Sequence, residues 1–360
     1  MELTKTIPSL EYARETVLED NKGNADFTTP LRNLFMQDDG KITFENRADA
    51  TSESANAHAV GRYIEFDLTE WAGNQMFNKL GMPAKYFTKT LRDLQRPDLV
   101  AAHFNTWIGT VPDKNVLLRT KITDDINFIK GILSDKYSIL DNSQILESVE
   151  TAIRGMESNY EIVDFHLDDH RMNLRLTRKD LRTSVIPLDA LSVGVDIINS
   201  EVGASAAAIT ALVWRLVCSN GLRRLEQTAR IMHQRHIGIA ADKFIENVGN
   251  SIDTGLDDSK QLLEDFSETL KIDISNPYTT ISNIAKARDR VSVKMAKTVM
   301  ESWEEEEGNT AYNIINAFTR AARTFHNERR LEAERVAGSL VYLDPTQWAT
   351  LDIPEEVDNQ

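Results

Sequence analysis

Apolar positions along this chain change their period several times, and each change marks a different kind of element. Over residues 63–107 they recur at helical spacing. Trp71, Met76, Phe77 and Leu80 share a face behind Thr69 and Glu70, which suit a helix start, and Gly81-Met82-Pro83 ends the run. A second helix carries Tyr86, Phe87, Leu91 and Leu94, and residues 97–107 supply a third. Aromatic residues at this spacing read as core rather than as base-stacking groups. The period then shortens. Residues 115–120 and 127–133 read as strands joined by the polar turn Thr123-Asp124-Asp125. A helix capped within Asp141-Asn142-Ser143 follows, with Ile145, Leu146, Val149, Ile153 and Met156 on one side. Strands at 160–167 and 172–176 flank the turn Asp168-Asp169-His170, and residues 185–198 continue the strand pattern.

This order predicts an α+β fold: an antiparallel sheet with a crossing helix in the middle of the chain, followed by a largely helical C-terminal half. Alternating βα units are absent, and no glycine-rich phosphate loop supports a dinucleotide fold. Beyond Gly221 the expected helices are 222–248, 259–271, 282–303 and 310–341, separated by Gly249-Asn250, Asn276-Pro277 and Gly308-Asn309. The organisation that follows is an irregular N-terminal arm (1–55), a helical segment (56–110), an α+β core (111–221), a helical region (222–345) and a solvated acidic tail (346–360).

Composition changes the picture little, charge more. The 360 residues are 41% hydrophobic and 27% charged, as in an ordinary globular protein. No apolar run is long enough for a bilayer and no secretory h-region follows Met1, so the expected location is cytoplasmic. The net charge of −15 argues against wholesale wrapping by nucleic acid, yet the positive groups are clustered. Arg171, Arg175, Arg178, Lys179 and Arg182 surround a single acid, Asp180. Arg215, Arg223, Arg224, Arg230, Arg235 and Lys243 form a second island, Lys286 to Lys297, including Lys294, a third, and Arg320 to Arg330 a fourth.

The most distinctive run is residues 198–221, which holds the only cysteine, Cys218, between two polar signatures. Asn199-Ser200-Glu201-Val202-Gly203 and Cys218-Ser219-Asn220-Gly221 suit turns, and the apolar stretch between them suits burial. The block reads as a structural junction whose second turn launches a basic helix. Together with Ser134-Asp135-Lys136-Tyr137 and Leu140-Asp141-Asn142, these motifs resemble the successive hallmarks of a phage and plasmid family called domain of unknown function 932, over residues 117–341. The resemblance marks Tyr137, Asp141, Asn142, Asn199, Glu201, Gly203, Cys218, Asn220 and Gly221 as a structural signature. It implies a role in viral or plasmid biology and no settled activity.

Catalytic and metal chemistry find little footing. Cys218, His233 and His236 lack a fourth ligand and a zinc-like spacing, and an apolar setting raises a thiol's pKa rather than activating it. The acidic pairs at 124–125, 168–169 and 257–258 suit solvated turns. No cofactor is implied, and an enzyme is the less favoured class. Single-stranded nucleic acid is the expected partner, held by Arg171, Arg175, Arg178, Arg215, Arg223, Arg224, Arg230, Arg235 and Lys294. In strand geometry Arg171 and Arg175 share a face and suit a groove that tracks a phosphate backbone. The element order is similar to the core of ring-forming annealing proteins, so a strand-protecting or annealing homo-oligomer is expected. The alternative is a non-enzymatic assembly or host-interaction protein with protein partners.

Overall fold

A computed structural model describes residues 9–45, 63–155, 159–186, 189–215, 220–223, 230–234, 240–288, 291–306, 308–325 and 327–353. The described residues form two six-stranded sheets and a helical C-terminal half.

The first sheet contains β1 (Asn24–Pro30), β2 (Phe35–Met36), β3 (Ile42–Glu45), β4 (Tyr63–Leu68), β5 (Asn115–Lys121) and β6 (Phe128–Ser134), in the order β1-β5-β6-β4-β3-β2. Only the β4–β6 pair is parallel. Phe27, Phe44 and Phe66 meet on one face, with ring centroids 5.4 to 6.3 Å apart. Helices α2 (Glu70–Lys79), α3 (Ala84–Arg92) and α4 (Pro97–Ile108) complete this core. All three match the helical period of the sequence, and Thr69 caps α2 by accepting from the Ala72 N–H.

The N-terminal region is not an irregular arm within residues 9–45. Helix α1 (Leu10–Asp20) packs on the second sheet, and β1 pairs with β5 along its whole length. Its polar sequence belongs to an edge strand, where Ala25, Phe27 and Thr29 are buried and the alternate residues are partly or fully exposed. The α+β core accordingly starts near residue 24, well before residue 111.

The second sheet is antiparallel throughout. It contains β7 (Tyr160–Leu167), β8 (Met172–Ser184), β9 (Ala190–Asn199), β10 (Ala207–Arg215), β11 (Asn220–Arg223) and β12 (Arg230–Gln234). Strands β11 and β12 both pair with the outer edge of β10, one after the other. The basic helix expected from residue 222 is therefore absent from its start: Gly221 launches no helix, and α6 (Ala240–Glu268) begins only at Ala240. Backbone pairing with a long buried strand outweighs the local helical bias of this stretch.

Strand β9 is buried along nearly its whole length because the sheet is covered on both faces. On one face, Leu174, Leu176, Val195, Ile197 and Ile209 meet α1, α5 (Asn142–Gly155) and the first half of α6. The second half of α6 enters another core, built with α7 (Pro277–Ala287), α8 (Val293–Trp303), α9 (Ala311–Ala322), α10 (Asn327–Leu340) and α11 (Pro345–Leu351). The tail is not solvated up to residue 353. Trp348 is fully buried, and the Asp352 carboxylate accepts from the Ser275 and Asn276 N–H groups, each at 2.7 Å. Among the described residues no helix is long and apolar enough to cross a membrane.

Candidate functional site

The signature residues converge where the two sheets meet. Tyr137, in the turn after β6, donates its hydroxyl to the Ser200 carbonyl at 2.8 Å. Asn199, the last residue of β9, donates through Nδ2 to the Leu140 carbonyl and to Asn142 Oδ1, both at 2.9 Å. The Asn142 N–H at the start of α5 donates to Glu201 Oε1 at 2.8 Å. Gly203 has φ +75°, a left-handed conformation that glycine adopts without strain. Trp71 Nε1 and Gln75 Nε2 of α2 both donate to the Val202 carbonyl, so the first sheet's helix grips the same turn.

Charge reinforces this joint. The buried Arg119 guanidinium on β5 reaches Asp26 at 2.8 Å and Asp141 at 2.7 Å, and Lys130 reaches Asp20 at 3.2 Å and Glu201 at 3.9 Å. Burial opposes ionisation of Arg119, but Asp141, Asp26 and Glu201 more than offset it and hold the guanidinium above its ordinary value. Burial pushes the Glu201 and Asp26 carboxyls up, and repulsion from Asp141 adds to it. Every one of these groups is engaged with protein, which makes the cluster a joint rather than a reactive centre. Cys218 lies outside the described residues, and Asn220 and Gly221 are backbone partners of Arg215 and Trp214.

The expected nucleic-acid contacts divide into groups. Arg171, just before β8, and Asn173 and Arg175, within it, line one cavity. Arg175, however, is buried and unavailable to a phosphate. Its register neighbours are Asp164 on β7 and Asp196 on β9, whose carboxylates lie 3.3 and 3.1 Å away, and Glu334 of α10 closes over it with a bidentate pair. The Trp214 ring adds a cation–π contact at 5.4 Å. Arg178 is paired with Asp180 at 2.6 Å, and Arg215 with Asp189 at 2.6 Å and Glu306 at 2.9 Å. These two also serve the protein's own packing. Lys294 is exposed on α8. Arg223 and Arg230 lie on β11 and β12, while Arg224, Arg235 and His236 lie outside the described residues; His233 is in β12.

The cavity, of about 80 Å³, is lined by His166, Asp168, His170, Arg171, Asn173 and Arg175, with Ile198, Arg330 and Leu331 as its remaining walls. The β7–β8 turn builds its mouth. Asp168 accepts from the backbone N–H groups of His170 at 2.8 Å and Arg171 at 2.9 Å, and its other oxygen sits 3.2 Å from His166 Nε2. Burial alone raises the Asp168 carboxyl, but these hydrogen bonds outweigh it and hold the group at about 2. His170 stands against the Trp71 ring, with centroids 5.3 Å apart. The sequence reading passed over both histidines. The signal was present as His-x-Asp-x-His across a strand turn, a spacing that returns both rings to one side. Asp168, expected with Asp169 in a solvated turn, accepts from that turn's own backbone. Among the described residues no group of three or more histidine, cysteine, aspartate and glutamate side chains is placed to hold a metal ion.

The signature residues of this joint lie within the region that a family model recognises. The model described as Domain of unknown function (DUF932) matches residues 130–341, more than half of the chain. The chain belongs to the DUF932 family. No curated protein and no solved structure matches it. The DUF932 region takes in the turn of Tyr137, helix α5, the whole second sheet and the helices through α10, but leaves Asp26 and Arg119 outside.

Proposed function

We propose that this DUF932 protein binds single-stranded nucleic acid, as an accessory factor of phage or plasmid biology, through the arginines around the β10 edge. The observation that carries this reading is one of register. Arg223 stands opposite Leu212 and Arg230 opposite Thr210, so residues 223 and 230 occupy positions only two residues apart along β10. That is roughly 7 Å of strand. In sequence, Arg224 is the next residue after β11 and Arg235 the next after β12, and the proposal extends to them. Cations at that spacing suit a flexible phosphate backbone, which single-strand binders track with little sequence preference. Arg175, Arg178 and Arg215, engaged in ion pairs, contribute nothing to this contact.

Fluorescence anisotropy with labelled single-stranded DNA and RNA at low and high salt tests the reading. Binding should weaken steeply with salt. The double variant Arg223→Gln/Arg224→Gln should reduce the slope of log affinity against log salt by roughly 1.4, two phosphate contacts at about 0.7 each. Affinity and slope unchanged in that variant refute the proposal.

A second reading, assembly with protein partners or with further copies of the chain, is favoured by Tyr86 and Leu94, each 61% exposed, together with the exposed Leu99 and Trp107. These apolar side chains all fall on α3, α4 and their connection. Light scattering after size exclusion, with and without oligonucleotide, separates the two readings: a mass that rises only with oligonucleotide supports the first.

A further inference from the structure

Where α2, α4 and the approach to β5 meet, the surface holds an indole among cations that have no acid of their own. The sequence reads the aromatic residues of 63–107 as core, and Phe77, Phe87 and Phe104 are buried. Trp107, in the last turn of α4, stays 42% exposed. Its Nε1–H donates to the Leu80 carbonyl at the end of α2, at 2.9 Å. The ring's one polar atom is thus engaged inside the protein, and the side chain offers solvent a π surface whose orientation the hydrogen bond fixes.

Cations gather around this ring. The Thr110 N–H and hydroxyl donate to the Trp107 carbonyl at 2.9 and 2.7 Å, which folds the chain back at the end of α4. Arg32 reaches the same loop, donating through Nη2 to the Val111 carbonyl at 2.8 Å, and the Lys114 carbonyl accepts from the Leu31 N–H at 2.7 Å. Lys79, the residue before Leu80, is close enough to Lys114 to feel its charge. Desolvation first, and this repulsion second, hold the Lys79 ammonium below its ordinary value. Among the described residues Arg32, Lys79 and Lys114 make no ion pair. Glu70, Asp93 and Asp98 stand at the opposite ends of α2, α3 and α4, and Asp98 is paired with Arg96. Asp113 is the one carboxylate in residues 79–85 and 107–114, a stretch that also contains Lys85. The local balance therefore stays positive with Asp113 counted in full.

Apolar exposure by itself suits many partners. Unanswered positive charge around a fixed indole suits a partner that brings phosphates and flat bases together. Resting on the reading that this chain binds single strands, we propose that Trp107 is a base-stacking platform in that contact, with Lys79, Lys114 and Arg32 supplying the charge that holds the adjoining phosphates. A single strand presents an unpaired base to such a ring, and stacking on it is tolerant of sequence. An acidic protein segment would satisfy the cations but leave the indole without a matching plane.

Fluorescence titration of the full chain tests this. The protein has five tryptophans, so the difference between the wild type and Trp107→Phe isolates the Trp107 signal. Oligothymidylate should quench that signal, and an abasic oligonucleotide of the same length should not. Trp107→Ala should weaken oligothymidylate binding by about 5- to 150-fold, the range for one stacked base, and leave abasic binding unchanged. The double variant Lys79→Gln/Lys114→Gln, at two exposed positions, should lower the slope of log affinity against log salt by roughly 1.4. Arg223→Gln/Arg224→Gln is the comparison. Binding lost in that variant but unchanged in Trp107→Ala and in the lysine variant overturns the platform alone, whereas a wild type that binds no oligonucleotide refutes both readings. A Trp107 signal left unquenched by bound oligothymidylate, a readout that needs no loss-of-binding variant, also overturns it. So does polyglutamate that competes as well as oligothymidylate of equal charge, which would assign this surface to an acidic protein.

Discussion

Replacing Arg175 by methionine should destabilise the protein severely while leaving the arginines of the β10 edge in place. The guanidinium is buried, and its removal leaves Asp196 and Glu334, both inaccessible to water, without their main counter-charge. Breaking a buried network by deleting one partner costs about 3–5 kcal/mol, mostly the penalty of stranding the remaining charges. The lost contact with Trp214 belongs to the same network and does not add in full. Against the roughly 5–15 kcal/mol typical of a folded domain, this is about a fifth or more of the total. With a urea dependence of about 3 kcal/mol per molar, the unfolding midpoint should fall by roughly 1–1.5 M. The assay is urea unfolding followed by far-UV circular dichroism and Trp fluorescence. Adding Glu334→Leu should recover part of the loss, because Asn173 still donates to Asp196 at 2.8 Å and Arg330 still holds Asp164. An unchanged midpoint in Arg175→Met, combined with weaker oligonucleotide binding, would show that Arg175 faces a ligand rather than the core.

Two further outcomes are expected. Asp168→Asn keeps an acceptor for the turn but loses the charge. Because the folded-state carboxyl is depressed from 3.8 to about 2, its contribution is present above the unfolded value and disappears as pH falls through the folded value. After allowance for a half-exposed group this is about 1–2 kcal/mol at neutral pH, and denaturation of both chains at pH 7 and near pH 2 should show the difference vanish. Gly203→Ala forces a side chain onto a backbone at φ +75° and should cost about 1–2 kcal/mol by thermal melting, with Gly203→Asn milder; an alanine variant as stable as the wild type refutes the assigned turn.

The local grammar of the chain was legible where one short segment decides the outcome. The three helices between Glu70 and Ile108, the capped start of α5 and the strands β5 to β9 each carry their own period or cap. The rest depended on partners distant in sequence. Residues 220–223 and 230–234 belong to a stretch of helical composition, but both segments pair with the edge of β10 as strands. Residues 24–45 look polar because they end the sheet, and only their pairing to β5 and β4 reveals the buried side. The acids that neutralise Arg175 come from β7, β9 and α10 and could not be anticipated from the local charge pattern. Glu334 stands 159 residues away. Among the basic islands, those facing the core are paired by such remote acids, and a run of arginines in sequence therefore says little about free positive surface.

The salt bridge from Arg119 to Asp141 joins two residues on opposite sides of the point where the family match begins. A chain cut at residue 130 would keep every family motif yet leave Asp141 and the carboxyl of Glu201 facing an empty place where a guanidinium belongs, and it would strip β6 of its neighbour β5. The boundary of sequence similarity in this protein is thus not a boundary of folding. In this chain the folding unit begins near α1, whose last residue, Asp20, holds Lys121 and Lys130 together.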